Sequence, residues 1–171
     1  MTPPKVINAL VSCCLCLSAI AATIDEAEAL FKDKKWSNAA AAYESVADGR
    51  GPRGEKLKAA LSAALSHENA GRLKDAEKWA DKIVRETSGK SDSEVVAGAF
   101  ALKQRILFRR KAKPALREAL LNEAVRRLGW ARDVSSLYER DAFVCVKEKT
   151  FPAAYKKLSL RNVIPSQNGR G

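Results

Sequence analysis

The chain has 171 residues, 31 Lys and Arg against 20 Asp and Glu, a formal charge of +11 and a single histidine. One histidine leaves no cluster of imidazole ligands and no histidine-paired nucleophile with a spare base; His67-Glu68 runs on into Asn69-Ala70-Gly71 without completing a two-histidine zinc motif. Ala, Leu, Lys, Arg and Glu dominate, all favourable in helices, and no glycine-rich phosphate loop follows a strand pattern, so the expectation is an all-α, non-enzymatic chain with no cofactor.

In chain order, the first signal is apolar. Lys5 is the only charged side chain before Asp25, an apolar run extends from Val6 to Ala22, and Ala19-Ile20-Ala21 fits a small-x-small cleavage site. Residues 1–21 therefore read as a signal peptide cut between Ala21 and Ala22, which makes the product exported, periplasmic or secreted. Two alternatives stay open. Val6 to Ile24 is 19 uncharged residues, close to the length of a membrane anchor. Leu10-Val11-Ser12-Cys13 resembles a bacterial lipobox. Removal of the leader takes Cys13, Cys14 and Cys16 with it and leaves Cys145 alone, so the mature chain forms no internal disulfide. Flanked by Phe143-Val144 and Val146, Cys145 reads as a small core residue.

Beyond the leader the chain repeats itself at a spacing of 37: Ala27 and Ala64, Lys35 and Arg72, Asn38 and Asp75, Ala39 and Ala76, and Val46 and Ile83 fall into register. A fixed period of this size marks stacked helical hairpins, each of which needs a neighbour to bury its apolar face. The matching residues have a family pattern. Lys34-Lys35-Trp36-Ser37-Asn38-Ala39, then Tyr43, Val46-Ala47 and Pro52, resembles the second helix of a tetratricopeptide repeat. The second copy reads Gly71-Arg72-Leu73-Lys74-Asp75-Ala76, Ala80 and Ile83-Val84, and it has the turn glycine where the first has Lys34. Lys34 is thus expected to hold a left-handed turn at some strain. Ala80 stands where the family has a bulky residue, a gap that Trp79 can part-fill. The excess over the family's period of 34 falls in Gly49-Arg50-Gly51-Pro52-Arg53-Gly54, where extra loop is cheap.

A third hairpin is more degenerate. Ser93 to Arg110 has a broad apolar arc of Val95, Val96, Ala99, Phe100, Leu102, Ile106 and Leu107, wide enough to meet two neighbours, and Pro114 opens a helix through Leu128. Past Gly129, Asp133 reads as the cap of a helix through Lys147, and Pro152 as the start of a short one through Leu158. A strand over Ala142 to Val146 is the competing reading of that apolar run. The expected layout is repeats over 22–52, 55–90 and 93–128, a helical cap over 129–160 and a disordered tail over 161–171. By the resemblance, the fold class is a short right-handed superhelix of two to three hairpins with C-terminal capping helices.

Charge divides the chain unevenly: 22–51 carries six acids and four bases, whereas 52–171 carries 26 bases and 14 acids. Arg105, Arg109, Arg110, Lys111 and Lys113 cluster at the third turn, suited to an acidic partner or an anionic surface. Nucleic acid is the weaker match, because no aromatic residues interleave with the basic ones. The resemblance implies an exported adaptor or scaffold that binds a protein partner, as a peptide or a helix, in a groove lined by the first helices of successive hairpins. Carried over by register, that groove takes Glu28 and Lys32, then Lys58, Ser62, Leu65 and Asn69, then Arg105 and Arg109. The same resemblance leaves room for self-association. The alternative function is a basic envelope-surface protein that binds anionic polymer or membrane headgroups.

Overall fold

A computed structural model describes residues 23–87, 92–129 and 132–147, all of whose regular structure is helical. The helices are α1 (Ile24–Lys32), α2 (Trp36–Asp48), α3 (Arg53–Asn69), α4 (Leu73–Glu86), α5 (Ser93–Arg109), α6 (Pro114–Leu128) and α7 (Arg132–Lys147). The expected leader and its Ala21-Ala22 cut, the helix expected from Pro152 and the expected tail lie outside the described residues. No described helix is long and apolar enough to cross a membrane.

Local chemistry accounts for the helix ends. Thr23 and Glu26 form a reciprocal capping box, in which Glu26 N–H donates to Thr23 Oγ1 and Thr23 N–H to the Glu26 carboxylate, so two otherwise unpaired donors at the start of α1 are satisfied. Pro114 starts α6, where its missing N–H costs nothing. α7 starts at Arg132, a residue ahead of the expected cap, and stays helical through Ala142–Val146, so the strand reading of that run is wrong. Arg53 and Gly54, expected in the interhairpin loop, belong to α3.

Three turns share one construction. Between α1 and α2, Lys34 N–H donates to Phe31 O and Lys35 N–H to Leu30 O; Gly71 and Arg72 do the same to Glu68 O and His67 O, and Lys111 and Ala112 to Phe108 O and Leu107 O. This crossed pair satisfies two carbonyls at each helix end and requires a left-handed residue in the middle. Lys34 has φ 59°, Gly71 77° and Lys111 50°. The strain expected at Lys34 is present, and Lys111 repeats it.

Each helix packs on the next in chain order, and in addition α3 touches α5 and α5 touches α7. Small residues set the approach. Ala27, Ala39, Ala64, Ala76 and Ala80 are fully buried. Beside Ala80, Trp79 is buried too, so the indole and the alanine share the space. In α1–α2 the bulk comes from Phe31, whose ring meets Trp36 and Tyr43 edge-on. Between α3 and α5 it is Gly98 that matters, since a Cβ there would sit 2.7 Å from Leu61 Cδ2. The apolar arc of α5 is spent as expected, with Val95, Val96, Ala99, Phe100, Leu102 and Ile106 all buried.

The turns make a prediction with opposite signs at two equivalent positions. Gly71→Ala meets no atom within 4 Å, so its cost is backbone strain alone, about 1–2 kcal/mol. Lys34→Gly removes the same strain and, after the added chain entropy, should stabilise by up to about 1 kcal/mol. Urea midpoints of the two variants check this: a loss in the first and a gain in the second is the expected pattern.

Candidate functional site

The residues carried over as a groove come from α1, α3 and α5, and they do not form one uniform surface. Glu28 and Lys32 are exposed on successive turns of α1, with Nζ to carboxylate 3.9 Å. Lys58 and Asn69 are exposed on α3, while Ser62 and Leu65 between them are half-buried, and Leu65 leans on the core. Glu28 and Ser62 converge on the Tyr43 hydroxyl. Burial raises the Tyr43 phenol above its ordinary value, the Glu28 charge adds to the rise, and a hydrogen bond with Ser62 partly opposes it.

Arg105 and Arg109 are placed differently from expectation. Expected as free charges of a basic cluster and groove, both side chains turn onto Glu68 of α3. Arg105 holds its carboxylate from two nitrogens, Nε to Oε1 at 3.0 Å and Nη2 to Oε2 at 2.7 Å. Arg109 Nη1 donates to the Glu68 backbone oxygen at 3.3 Å, and its Nη2 lies 3.8 Å from Oε1. The Glu68 side chain is 5% exposed, so an ionised carboxylate there depends on these donors. Arg105 is therefore a tie between α3 and α5.

Similar ties sit at the other junctions. Glu44 of α2 accepts the Trp79 indole N–H at 2.6 Å, and His67 Nε2 lies 2.6 Å from the same oxygen, which joins α2 to α3 and α4. His67 is 3% exposed. At the far end, Arg117 of α6 occupies the place of the small Ala39 and Ala76 and is 1% exposed; its Nε lies 3.0 Å from Asp141 of α7, which is fully buried. Beside this pair, Gln104 Nε2 donates to Leu137 O at 2.6 Å. Glu44, Glu68 and Asp141 do not stand out as partners in the sequence, where each is one helix acid among many. Only the apolar register around Ala39, Ala76 and Leu120 points to Arg117 as out of place.

Two further features have no counterpart in the sequence reading. The second helices α4 and α6 flank a cleft of about 650 Å³ rich in charge. Phe108, Phe143 and Val144, with Arg105 and Arg140, line a shallower apolar groove between α5 and α7, and Phe143 is 60% exposed. Among the described residues no group of three His, Cys, Asp or Glu side chains is placed to hold a metal ion.

A family model described as a domain of unknown function, DUF6340, matches residues 25–104, from the start of α1 into α5. No curated protein and no solved structure matches the chain.

Loss of the Glu68 tie should be visible in stability. Arg105→Met keeps the side-chain packing but leaves Glu68 with Arg109 alone, at a cost of about 2–4 kcal/mol. Adding Glu68→Leu should recover most of that loss, because the buried charge leaves with its partner; a double-mutant cycle by denaturant titration measures both.

The Tyr43 environment sets a second expectation. Below about pH 9 folded and unfolded chains both hold the phenol neutral. Above its ordinary value of 10.0 the unfolded chain ionises first, so stability falls until the folded phenol, with its raised pKa, ionises as well. Tyr138 is also raised, by burial first and then by the Glu118 charge, and adds to the same alkaline loss. Tyr43→Phe should flatten the decline in unfolding midpoint between about pH 9 and 11 without abolishing it.

Proposed function

We propose that this chain is a short tetratricopeptide-like adaptor, exported by its apolar leader, that holds an extended segment or a helix of another protein against the face formed by its first helices. The supporting observation is an asymmetry in helix spacing. α3 and α5 approach so closely that a Cβ at position 98 would press on the Leu61 side chain, whereas α4 and α6 stand apart around an open cleft. A stack pinched on one side and splayed on the other curves, with α1, α3 and α5 on the inside. The recurring left-handed turn at Lys34, Gly71 and Lys111 supports three equivalent hairpins in a right-handed superhelix, with α7 as the cap.

On that inner face Lys58, Ser62, Leu65 and Asn69 are the accessible residues of α3, flanked by Glu28 and Lys32. They offer one half-buried leucine among polar groups, which suits a partner that contributes an apolar anchor and backbone hydrogen bonds. The face is short, so avidity through self-association or a second contact surface fits it better than tight binding of a free peptide. The competing reading, a basic protein held on an anionic surface, draws on the exposed cations Arg109, Lys111 and Lys113.

Photo-crosslinking side chains at positions 58 and 69, in the native host, separate the two. An adaptor should give the same discrete protein adduct from both positions, with yield little changed by salt, and none from Ser45, which is exposed on α2. Adducts absent at 58 and 69, with retention on the envelope that salt abolishes, would falsify the adaptor reading in favour of the surface one.

A further inference from the structure

The cleft between α4 and α6 lies away from the first-helix face and has a chemistry of its own. Its floor is Lys103 of α5; Lys74, Lys78 and Arg85 stand along α4, and Arg127 faces them from α6. Three acids border it, and every one is engaged. Arg110 Nη1 lies 2.6 Å from Glu77, Lys103 Nζ lies 2.5 Å from Asp81, and Arg126 and Arg127 both bind Glu123. Those arginine hydrogen bonds hold the Glu123 carboxyl below its usual range. Arg127 also donates to Thr87 O at 3.2 Å, which fixes α6 against the end of α4 and holds the cleft's width.

The remainder is positive. Lys74, Lys78 and Arg85 are exposed and make no ion pair with a described residue. At about 100° and 1.5 Å per residue they fall within about 40° of one another and extend over about 16 Å of α4. Val84 is the one apolar residue of the described lining, and no aromatic side chain joins it.

Such a cleft selects its ligand by elimination. Without an apolar pocket it gives an acidic peptide no anchor, so affinity has to come from displaced counterions, which requires closely spaced charge on the ligand. Without an aromatic it has no surface on which bases stack, so it gains nothing from a nucleobase. A bilayer finds no apolar side chain to insert beside Lys74, Lys78 and Arg85, because the exposed Leu116 and Phe143 lie outside the cleft. We infer that the α4–α6 cleft binds a linear polymer of repeating phosphates, a polyphosphate or polyol-phosphate chain, with Lys74, Lys78 and Arg85 as the primary contacts. This site is separate from the protein-binding face and stands or falls without it.

The test is fluorescence anisotropy of the full chain with fluorescein-labelled inorganic polyphosphate over a salt series. The slope of log affinity against log salt falls by about 0.7 for each phosphate left without its cation, so Lys74→Gln/Lys78→Gln/Arg85→Gln should lower it by about 2 and weaken binding at low salt by about tenfold or more. Lys78→Gln alone should lower it by about 0.7, which keeps the test open if the triple variant loses helicity. Lys35→Gln/Arg50→Gln/Lys113→Gln removes equal charge outside the cleft and should leave the slope near that of the wild type. A control triple as damaging as the cleft triple would reduce the effect to net charge and overturn the site. Tighter binding to anionic lipid vesicles, or to a mixed-sequence single-stranded oligonucleotide, than to polyphosphate would overturn the ligand class.

Discussion

Glu68 holds this molecule in register. Its carboxylate is buried at the α3–α5 seam and stays there because Arg105 reaches it from the next hairpin with two nitrogens. Its backbone oxygen accepts the Gly71 N–H that closes the α3–α4 turn and also a proton from Arg109. One residue thus links the turn of one hairpin to the first helix of the next. A slide of α5 along α3 by a single helical turn would strand a charge in an apolar seam, a cost that dispersion between alanines cannot offset.

The need for such ties follows from composition. Ala27, Ala39, Ala64, Ala76 and Ala80 let helices approach closely, but methyl groups interlock weakly and permit many registers of similar energy. A carboxylate at three of the junctions removes that freedom: Glu44 with His67 and Trp79, Glu68 with Arg105 and Arg109, Asp141 with Arg117. Buried ion pairs add little net stability over apolar contacts, so their value here lies in specifying one stacking geometry. In the last junction the pattern deepens, since Arg117 replaces the alanine of the earlier crossings and α7 supplies the acid.

This arrangement also redistributes the charge that looked free in the sequence. The arginines Arg105, Arg110 and Arg127 are engaged with acids, while Lys74, Lys78 and Arg85 keep their charge for solvent or a ligand. The faces of α3 and of α4 with α6 accordingly differ in kind. α3 presents polar groups around Leu65, and α4 with α6 presents surplus cations around a cleft.

The helical character, the turn at Gly71 and the helix opened by Pro114 were legible in the sequence because each signal lies within a single turn or helix period. The spacing of 37, which sets Lys34 against Gly71, pointed to the left-handed residue at Lys34 as well. Lys111 was not legible in the same way, because a lysine at a left-handed position has no residue signature of its own and the spacing of 37 from Gly71 does not fall on it. The partners of Glu44, Glu68 and Asp141 were decided only by tertiary structure. They lie between 23 and 41 residues away along the chain, on different helices, and an acid on an amphipathic helix looks the same in sequence whether it meets water or a neighbour's arginine. The fate of Arg105 turned on the same point: its identity was plain from the sequence, and its availability depended on where α3 lay when the hairpins packed.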